Sequence, residues 1–229
     1  MHAGTLLSPA EELLAPFSAR LRTGTREERE TAESTPYFRL LLAGALEPRE
    51  YAALLAQLQL VYCELERAAE ALRRHPVVAP FAGSGRGRIV ALDDDLHALL
   101  GPSWRRRVPI TDATHAYCDR IREATAWPAG FIAHHYVRHL GDLSGGQLIG
   151  DAVSKIYGLN GLGASFYRLP AGETGRGLKL HYRYLLDTAL LGPREQDRVI
   201  YEARAALRHN AEVSNALGRW VARAPQESP

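Results

Sequence analysis

The sequence predicts an all-α fold, a single-domain bundle of about eight helices. Apolar residues recur at intervals of three and four along most of the 229-residue chain, which is the spacing of helices that bury one face. Ser, Thr and Pro precede several of these stretches, as residues that cap or begin helices do. No stretch of useful length alternates between apolar and polar residues, so the sequence contains no candidate strand.

Most predicted helices have a start or a stop signal. Ser8 and Pro9, followed by Glu11, form a capping box with proline in the first turn. Pro48 begins a long helix with one apolar stripe: Tyr51, Leu54, Leu55, Leu58, Val61, Tyr62 and Leu65. The other predicted helices are Ser18–Glu33, Thr35–Gly44, a helix ending near Leu100, one capped by Thr111, one from Trp127–Pro128 to about Tyr157, Leu178–Leu190 and Pro193–Val221. Residues 75–87 and 160–177 are predicted loops, residues 1–222 one domain, and residues 223–229 a frayed tail.

The charge balance and the cysteines narrow the class of function. The 28 basic and 26 acidic residues give a net charge of +2, whereas nucleic-acid-binding proteins usually carry a clear basic excess. Cys63 and Cys118 form no paired motif and fit reduced thiols. No stretch approaches the roughly 18 apolar residues of a membrane span, and the acidic start is unlike a signal peptide. We therefore expect a cytoplasmic protein that binds neither nucleic acid nor membrane.

The segment HHYVRHLGDLSGGQLIGD, residues 134–151, places four glycines inside one predicted helix. Each interior glycine costs roughly 1 kcal/mol relative to alanine, so the missing side chains must serve a purpose. Gly141 and Gly145 are four residues apart and share one face, which would form a smooth platform for a flat ligand. Tight packing between helices explains the glycines about equally well. The spacing and the missing lysine exclude a phosphate-binding loop.

Asp142 lies in the same stretch and needs hydrogen-bonding partners, because burying a carboxylate without them is costly. Arg138, one helical turn earlier, is one candidate, and a simple ion pair between them is the plainest explanation. Tyr62 on the long Pro48 helix is another possible partner.

The heptapeptide Gly141-Asp-Leu-Ser-Gly-Gly-Gln147, preceded by Tyr136-Val-Arg138, resembles the distal-helix signature of heme oxygenases. The resemblance extends from about Phe17 to Val221. Residues 21–33 are similar to the proximal helix of the family and residues 178–183 to its later heme-propionate segment, while Asn210 falls where the last core helix of the family carries an Asn.

This resemblance implies a soluble, bacterial-type enzyme with a glycine-kinked distal helix. Such enzymes bind heme as substrate and cofactor and cleave it with O2 to biliverdin, CO and ferrous iron. The electrons would come from a ferredoxin, a flavodoxin or a reductase.

The resemblance also implies roles for individual residues. Asp142 would hold a water network that delivers the activating proton, supported by Arg138, Tyr62 and Tyr136. The heme-binding residues would be Arg22, Arg26, Arg29, Ala32, Glu33, Gly141, Ser144, Gly145, Lys179, Tyr182, Arg183 and Asn210. Arg22 and Arg26, with Lys179 and Arg183, would anchor the propionates. The alternative for the arginine stripe is a solvated face with Arg26–Glu30 and Arg29–Glu33 pairs.

One position departs from the family pattern T-x-x-x-H-x-x-A-E, in which the His is the proximal iron ligand. Here the pattern reads Thr25-Arg-Glu-Glu-Arg29-Glu-Thr-Ala32-Glu33, and no His lies between His2 and His75. A guanidinium is always protonated and has no lone pair for a metal, so we do not expect Arg29 to ligate iron. The iron ligand stays open: water, Glu33 or a rearranged side chain. The other outcomes are a heme or tetrapyrrole bound without turnover, and loss of the pocket's function.

Two further patterns are weaker. His135 and His139 have the spacing of metal ligands but lack the Glu of a zinc HExxH motif. Asp94-x-x-His97 and Asp112-x-x-His115 have the spacing of a di-iron site in a helical bundle, yet each lacks Glu partners. A di-metal oxidase is therefore the remote alternative.

Overall fold

The structure, a computed structural model, describes residues 15–83, 87–169 and 171–223, and in these ranges it contains helices and no strand. The predicted all-α fold is confirmed. The helices are α1 (Phe17–Gly24), α2 (Arg26–Glu33), α3 (Pro36–Leu42), α4 (Pro48–Ala71), α5 (Arg88–Leu100), α6 (Asp112–Thr125), α7 (Pro128–Gly141), α8 (Gln147–Ile156), α9 (Gly175–Asp187) and α10 (Pro193–Arg223). A π-helical segment, Asp142–Gly146, joins α7 to α8, and 3-10 turns cover Trp104–Arg106 and Ser165–Tyr167.

Two long helices organise the bundle. α10 packs against α2, α6 and α7, and α4 packs against α5 and α6. Their inward faces are largely apolar and buried, with Tyr51 and Leu55 on α4 and Leu217 on α10, and Phe131 of α7 belongs to the same core. The predicted start signals explain the helix boundaries, since Thr111 caps α6 through the Thr114 amide, which donates to its hydroxyl at 3.2 Å.

The prediction of one helix from Ser18 to Glu33 was wrong, because the helix is interrupted at Thr25. The backbone of Thr25 leaves the helical region, with φ −111° and ψ 10°. Its buried hydroxyl donates to the Leu21 carbonyl at 2.7 Å, a bond that competes with the helical ladder and bends helices. The break separates α1 from α2, so each is a short helix of eight residues.

The predicted long helix from Pro128 to Tyr157 is interrupted where the glycines lie. Residues 142–146 form the π-helical segment, which widens the helix by one residue per turn. Such segments are found at functional sites more often than elsewhere. The resemblance implied a glycine-kinked distal helix, and the structure has a widened π-helical turn at these glycines.

The loop before α9 is held by a single buried carboxylate. Asp95 on α5 accepts hydrogen bonds from the backbone amides of Gly163, Ser165 and Phe166 at 2.7, 2.9 and 2.8 Å, and from the Ser165 hydroxyl at 2.8 Å. These bonds fix the residues beside Tyr167, which belongs to the functional site.

The remaining boundaries differ little from prediction. α9 begins at Gly175, before the predicted Leu178, because the Thr174 hydroxyl accepts from the Gly177 amide at 3.1 Å and caps the helix. The predicted helix start at Ser8–Pro9 and residues 224–229 lie outside the described residues. In the part of the chain that the structure describes, no helix is long and apolar enough to cross a bilayer.

Candidate functional site

A cavity of about 550 Å³ opens between the α1–α2 pair and the glycine-rich end of α7, a size within the usual range for small-molecule sites. α4 and α10 contribute further walls. Most of the predicted site residues line it: Arg22, Arg29, Ala32, Glu33, Tyr136, Arg138, Gly141, Asp142, Ser144, Gly145, Arg183 and Asn210.

Four predicted site residues lie away from the cavity wall. Tyr62 lies behind Asp142, to which it is hydrogen-bonded. Tyr182 is buried, with its hydroxyl 2.8 Å from His135 Nδ1. Arg26 is exposed and Lys179 is half-buried, each one turn away from a lining arginine of its own helix.

The four glycines of the distal helix fall into two pairs. A Cβ atom added to Gly141 or Gly145 would meet nothing within 4 Å, and both residues face the cavity. A Cβ on Gly146 or Gly150 would instead lie 3.1 or 2.7 Å from the Tyr167 side chain. The two pairs therefore differ: Gly141 and Gly145 leave open space at the cavity, whereas Gly146 and Gly150 pack tightly against Tyr167, which belongs to a 3-10 turn and not to a neighbouring helix.

Asp142 is the centre of a buried hydrogen-bond network. Arg138 Nη2 donates to Asp142 Oδ1 at 2.8 Å, and the Tyr62 hydroxyl donates to Asp142 Oδ2. Arg138 Nη1 donates to Asn210 Oδ1 on α10 at 3.0 Å. The structure thus contains both partners predicted for Asp142, and it links them to a third helix.

Burial and charge fix the protonation of this network. Burial, reinforced by the adjacent Asp142 carboxylate, raises the pKa of Tyr62 well above its ordinary value, so Tyr62 stays a donor. Burial alone would lower the pKa of Arg138, but the attraction of the Asp142 carboxylate outweighs the effect of burial. The pKa of Arg138 is therefore raised. At any ordinary pH the carboxylate therefore lies between a cation and a neutral phenol.

Three buried polar atoms at the cavity have no hydrogen-bond partner among the described residues: the Tyr117 hydroxyl, the Tyr167 hydroxyl and Arg138 Nε. The sequence assigned no role to either tyrosine: Tyr117 lies on the helix capped by Thr111, and Tyr167 lies in a predicted loop. The only sequence signal for Tyr167 was the pair Gly146 and Gly150, whose missing side chains make room for its ring.

The α1–α2 wall presents a stripe of residues: Arg22, Thr25, Arg29 and Ala32, spaced three or four apart, and Glu33 beside Ala32. Among the described residues, the guanidinium groups of Arg22, Arg29 and Arg183 have no carboxylate partner. The Arg26–Glu30 and Arg29–Glu33 pairs are not formed either within that part of the chain. The cavity therefore carries uncompensated positive charge, which suits a ligand with carboxylates.

The histidines of α7 lie outside the cavity. His135 and His139 stack on each other with ring centroids 5.1 Å apart, and both rings pack against Tyr182. Burial, with a contribution from Arg88, lowers the pKa of His139 to about 4. In the described ranges no three His, Cys, Asp or Glu side chains converge as a metal site.

Comparison with known proteins identifies the family. The profile described as Heme oxygenase matches residues 15–216. The chain belongs to the heme oxygenase family. Heme oxygenase 1 of Nostoc sp. is 34% identical over 200 residues, which cover 86% of this chain and 84% of the relative.

Two solved heme oxygenases from Synechocystis sp. share the fold. The crystal structure of heme oxygenase-2 in complex with heme and NO superposes with a TM-score of 0.85 at 31% identity, covering 92% of this chain and 88% of that one. The crystal structure of heme oxygenase-1 in complex with heme gives 0.84 at 28% identity, covering 92% and 96%. The heme oxygenase fold is thus present over nearly the whole chain.

The cavity residues of this heme oxygenase family member fit a porphyrin ring and its carboxylates. Gly141 and Gly145 leave the space that side chains would fill, and Arg22 and Arg183 supply bidentate donors. The donor set does not fit iron equally well. Among the described residues that line the cavity there is no His, Cys or Met.

Proposed function

We propose that this protein binds heme in the cavity and cleaves it to biliverdin, CO and ferrous iron, using O2 and electrons from a ferredoxin, a flavodoxin or a reductase. One observation carries the proposal: the open face of Gly141 and Gly145 lies in the same cavity as the buried Asp142–Arg138 pair. The names of the relatives and the heme in the two crystal structures support it.

The proposed binding role of the basic residues follows from their positions. Arg22 and Arg183 line the cavity and would each hold a propionate by paired N–H donors. Arg26 and Lys179, one turn away on their helices, would add charge at the rim. Tyr182 would act indirectly, because its bond to His135 holds α9 against α7 and so places the neighbouring Arg183.

The remaining predicted binding residues would contact the two faces of the heme. Gly141, Gly145 and Ser144 would lie under one face of the heme, and Ala32 and Glu33 would border the other. These residues bring backbone or short side chains to the cavity, except Glu33. The family pattern and their lining positions support this assignment.

The proposed reaction needs a proton, which water oriented by residues of this chain would deliver. Bound heme supplies the iron centre at which O2 is activated. The Asp142 carboxylate, held by Tyr62 and Arg138, would orient water in the cavity, and Asn210 and Tyr136 would steady that arrangement. Because Tyr62 stays protonated and Arg138 stays charged, the carboxylate keeps its position through the reaction.

A second candidate function is a heme- or tetrapyrrole-binding protein without turnover. The observation that favours it is Arg29, which stands where the family pattern has His, in a cavity whose described lining has no His, Cys or Met. In the catalytic proposal, water, Glu33 or a rearranged side chain would serve as the iron ligand in place of the His of the family pattern, since Arg29 has no lone pair to give.

A hemin titration of the purified protein tests both candidates. Hemin would be added, then reduced in air with ascorbate or a ferredoxin system while absorbance is followed and CO is trapped. Decay of the Soret band with growth of a biliverdin band supports the oxygenase. Tight binding without decay supports the binding protein, and no binding contradicts both.

We further propose that the protein acts in the cytoplasm with a soluble electron donor and binds neither nucleic acid nor membrane. The near balance of 28 basic and 26 acidic residues supports the exclusion of nucleic acid. Fractionation of cells that express the tagged protein checks the location. Recovery of the protein with membranes would contradict it.

A further inference from the structure

Tyr182 and His135 form a buried pair of a phenol and an imidazole beside the cavity. The Tyr182 hydroxyl lies 2.8 Å from His135 Nδ1, and the two rings stack with centroids 5.6 Å apart. Tyr182 is 1% exposed and His135 is 7% exposed. The next residue on α9, Arg183, lines the cavity, and so does Tyr136, which follows His135 on α7. The pair is therefore enclosed by protein, yet each member has a chain neighbour at the cavity.

The Tyr182 hydroxyl donates to His135 in the tautomer whose Nδ1 carries no proton. Burial raises the pKa of Tyr182 well above its ordinary value, so the intact phenol keeps its proton. A phenol that has lost an electron is instead a strong acid, and it releases its proton to a base within hydrogen-bond distance. Without such a base, the oxidised ring would have to hold a positive charge in apolar surroundings, which is costly. His135 supplies the base that oxidation of Tyr182 requires.

Four other buried tyrosines of the described residues lack a base of this kind. The hydroxyls of Tyr37 and Tyr51 donate to backbone carbonyls, which do not take up a proton at ordinary pH. The hydroxyls of Tyr117 and Tyr167 have no hydrogen-bond partner within that part of the chain. Burial alone therefore does not distinguish Tyr182, whereas its bond to an imidazole does.

Tyr62 is the tyrosine most comparable with Tyr182, because its hydroxyl donates to the Asp142 carboxylate. An aspartate carboxyl ordinarily titrates at about pH 3.9 and an imidazole at about pH 6.5, so the imidazole is the stronger base. The Asp142 carboxylate is also bonded to Arg138 at 2.8 Å, so protonating it would weaken a buried ion pair. The proton of an oxidised phenol therefore passes more readily to His135 than to Asp142.

The rings packed around the pair are aromatic and uncharged. His139 stacks on His135 with centroids 5.1 Å apart, and its centroid lies 5.2 Å from that of Tyr182. Phe131 packs against the imidazole at 5.1 Å and Phe81 against the phenol at 5.4 Å. Because burial lowers the pKa of His139 to about 4, this second imidazole adds no positive charge beside His135. A radical formed on Tyr182 would be shielded from solvent by these rings.

We propose that Tyr182 and His135 are a redox-active pair that supplies one electron to an oxidised porphyrin in the cavity. The inference rests on the porphyrin site of the proposed function and adds an activity to it. Hydrogen peroxide that reaches bound hemin withdraws two electrons from it, and the Tyr182 ring returns one of them. The phenolic proton passes to His135 Nδ1, which leaves a neutral tyrosyl radical and an imidazolium. A one-electron reductant such as ascorbate then restores the electron, and His135 restores the proton.

Zinc protoporphyrin tests the pair without iron chemistry, and its fluorescence reports its binding. Light, with persulfate as the electron acceptor, removes one electron from the bound zinc porphyrin and so creates the oxidant inside the cavity. We expect a tyrosyl radical in electron paramagnetic resonance spectra and in transient absorbance, formed as the oxidised porphyrin recovers. Its formation should be slower in D2O than in H2O, because the proton moves with the electron.

Three variants assign the radical to the pair. Tyr182→Phe keeps the ring and should abolish the radical. His135→Gln keeps a polar side chain but removes the base, so radical formation should slow by about a hundredfold, the usual contribution of a positioned base. Tyr37→Phe loses a 2.8 Å bond to the Glu50 carbonyl and is the matched control, which should keep the wild-type radical.

The outcomes separate this inference from the proposed function. A radical that persists in Tyr182→Phe, or that forms at the wild-type rate in His135→Gln, overturns the role of the pair even if hemin is cleaved. A radical on Tyr182 in a protein that binds hemin without cleaving it supports the pair and contradicts the oxygenase. Failure of both zinc protoporphyrin and hemin to bind contradicts both proposals.

Discussion

Asp142 is held by two donors from different helices, and neither donor can release a proton at ordinary pH. In the proposed function its own role is to orient water. We expect Asp142→Ala to bind hemin much as the wild type does, since the carboxylate does not hold the propionates. Biliverdin formation should fall by about a hundredfold or more, the usual contribution of placed proton transfer. Single-turnover absorbance of the reduced complex measures this.

The control for this change is Asp151→Ala, an exposed aspartate on α8, the helix that follows the π-helical segment. It should keep both hemin binding and turnover. Retained biliverdin formation in Asp142→Ala would rule out the proposed role of this carboxylate.

Arg29 lies on the α1–α2 wall of the cavity, opposite the wall that contains Asp142. Replacing it with His would place a neutral nitrogen donor on the cavity stripe of α2. If residue 29 faces the iron, Arg29→His should give the hemin spectrum of a nitrogen-ligated iron and bind hemin at least about tenfold more tightly, a gain of about 1.4 kcal/mol. Glu30→His, one position on and exposed, should keep the wild-type spectrum. A wild-type spectrum for Arg29→His would contradict the assignment of this position.

Within the distal helix, the two glycine pairs should respond in opposite ways to the same substitution. Gly141→Ala and Gly145→Ala meet no atom, and alanine is the better helix former, so each should stabilise the heme-free protein by up to about 1 kcal/mol. Both should weaken hemin binding, because the methyl groups occupy the ligand's space. Gly146→Ala and Gly150→Ala should destabilise the protein, because the Tyr167 ring must move.

Thermal denaturation and hemin titration of the four variants, measured side by side, check this pattern. The packed pair is the internal control for the open pair. Equal effects of all four substitutions on stability would show that the helix does not have two functional faces.

Between the helices, one buried carboxylate joins α10 to α6 and α7. Glu202 accepts from Arg120 Nε at 2.9 Å and lies 3.0 Å from His134 Nε2. Burial alone would raise the pKa of Glu202, but the bonds from His134 and Arg120 outweigh burial and lower it to about 2.

This lowered pKa predicts where acid destabilises the protein. An unfolded glutamate titrates near 4.5, so the contribution of Glu202 is complete above that pH and is lost as pH falls toward 2. Glu202→Gln should lose about 2 kcal/mol of stability at neutral pH and show a smaller decrease in Tm across this acid window. Glu212→Gln, exposed on the same helix, is the control. An unchanged Tm profile in Glu202→Gln would contradict this account.

Across the whole molecule, α10 connects the two walls of the cavity. Arg204 and Arg208 of α10 bond to Glu28 of α2 at 2.5 and 3.2 Å, and Asn210 bonds to Arg138 of α7. The walls contact the same rigid helix within two turns of each other. The width of the cavity is therefore set by packing against α10.

Much of this architecture was predictable from sequence, since caps and periodicity mark helices directly. Pro48, Thr111 and Pro128 begin helices where predicted. The break at Thr25 was not predictable, because threonine is tolerated in helices and only its bond to Leu21 reveals the bend. Asp142 and its partners followed from helical spacing and the need to satisfy a buried charge.

Contacts between distant segments lay beyond sequence reasoning. Tyr167 reaches the glycine helix from a predicted loop, and no local pattern records that meeting. The same holds for the four predicted residues that lie off the cavity wall, because helical spacing fixes a face but not the depth of the ligand.

The carboxylate of Asp95 collects four donors from a segment that has few other bonds to hold it. Because one carboxylate binds all three amides, we expect this segment to open as a single unit. The amides of Gly163, Ser165 and Phe166 should therefore exchange their hydrogens at one common rate. In Asp95→Asn all three should accelerate together, measured by mass spectrometry of deuterated peptides, while amides at the centre of α4 keep their wild-type rates. An enzyme of this design can thus lose one wall of its pocket through a change in a helix that never contacts the ligand.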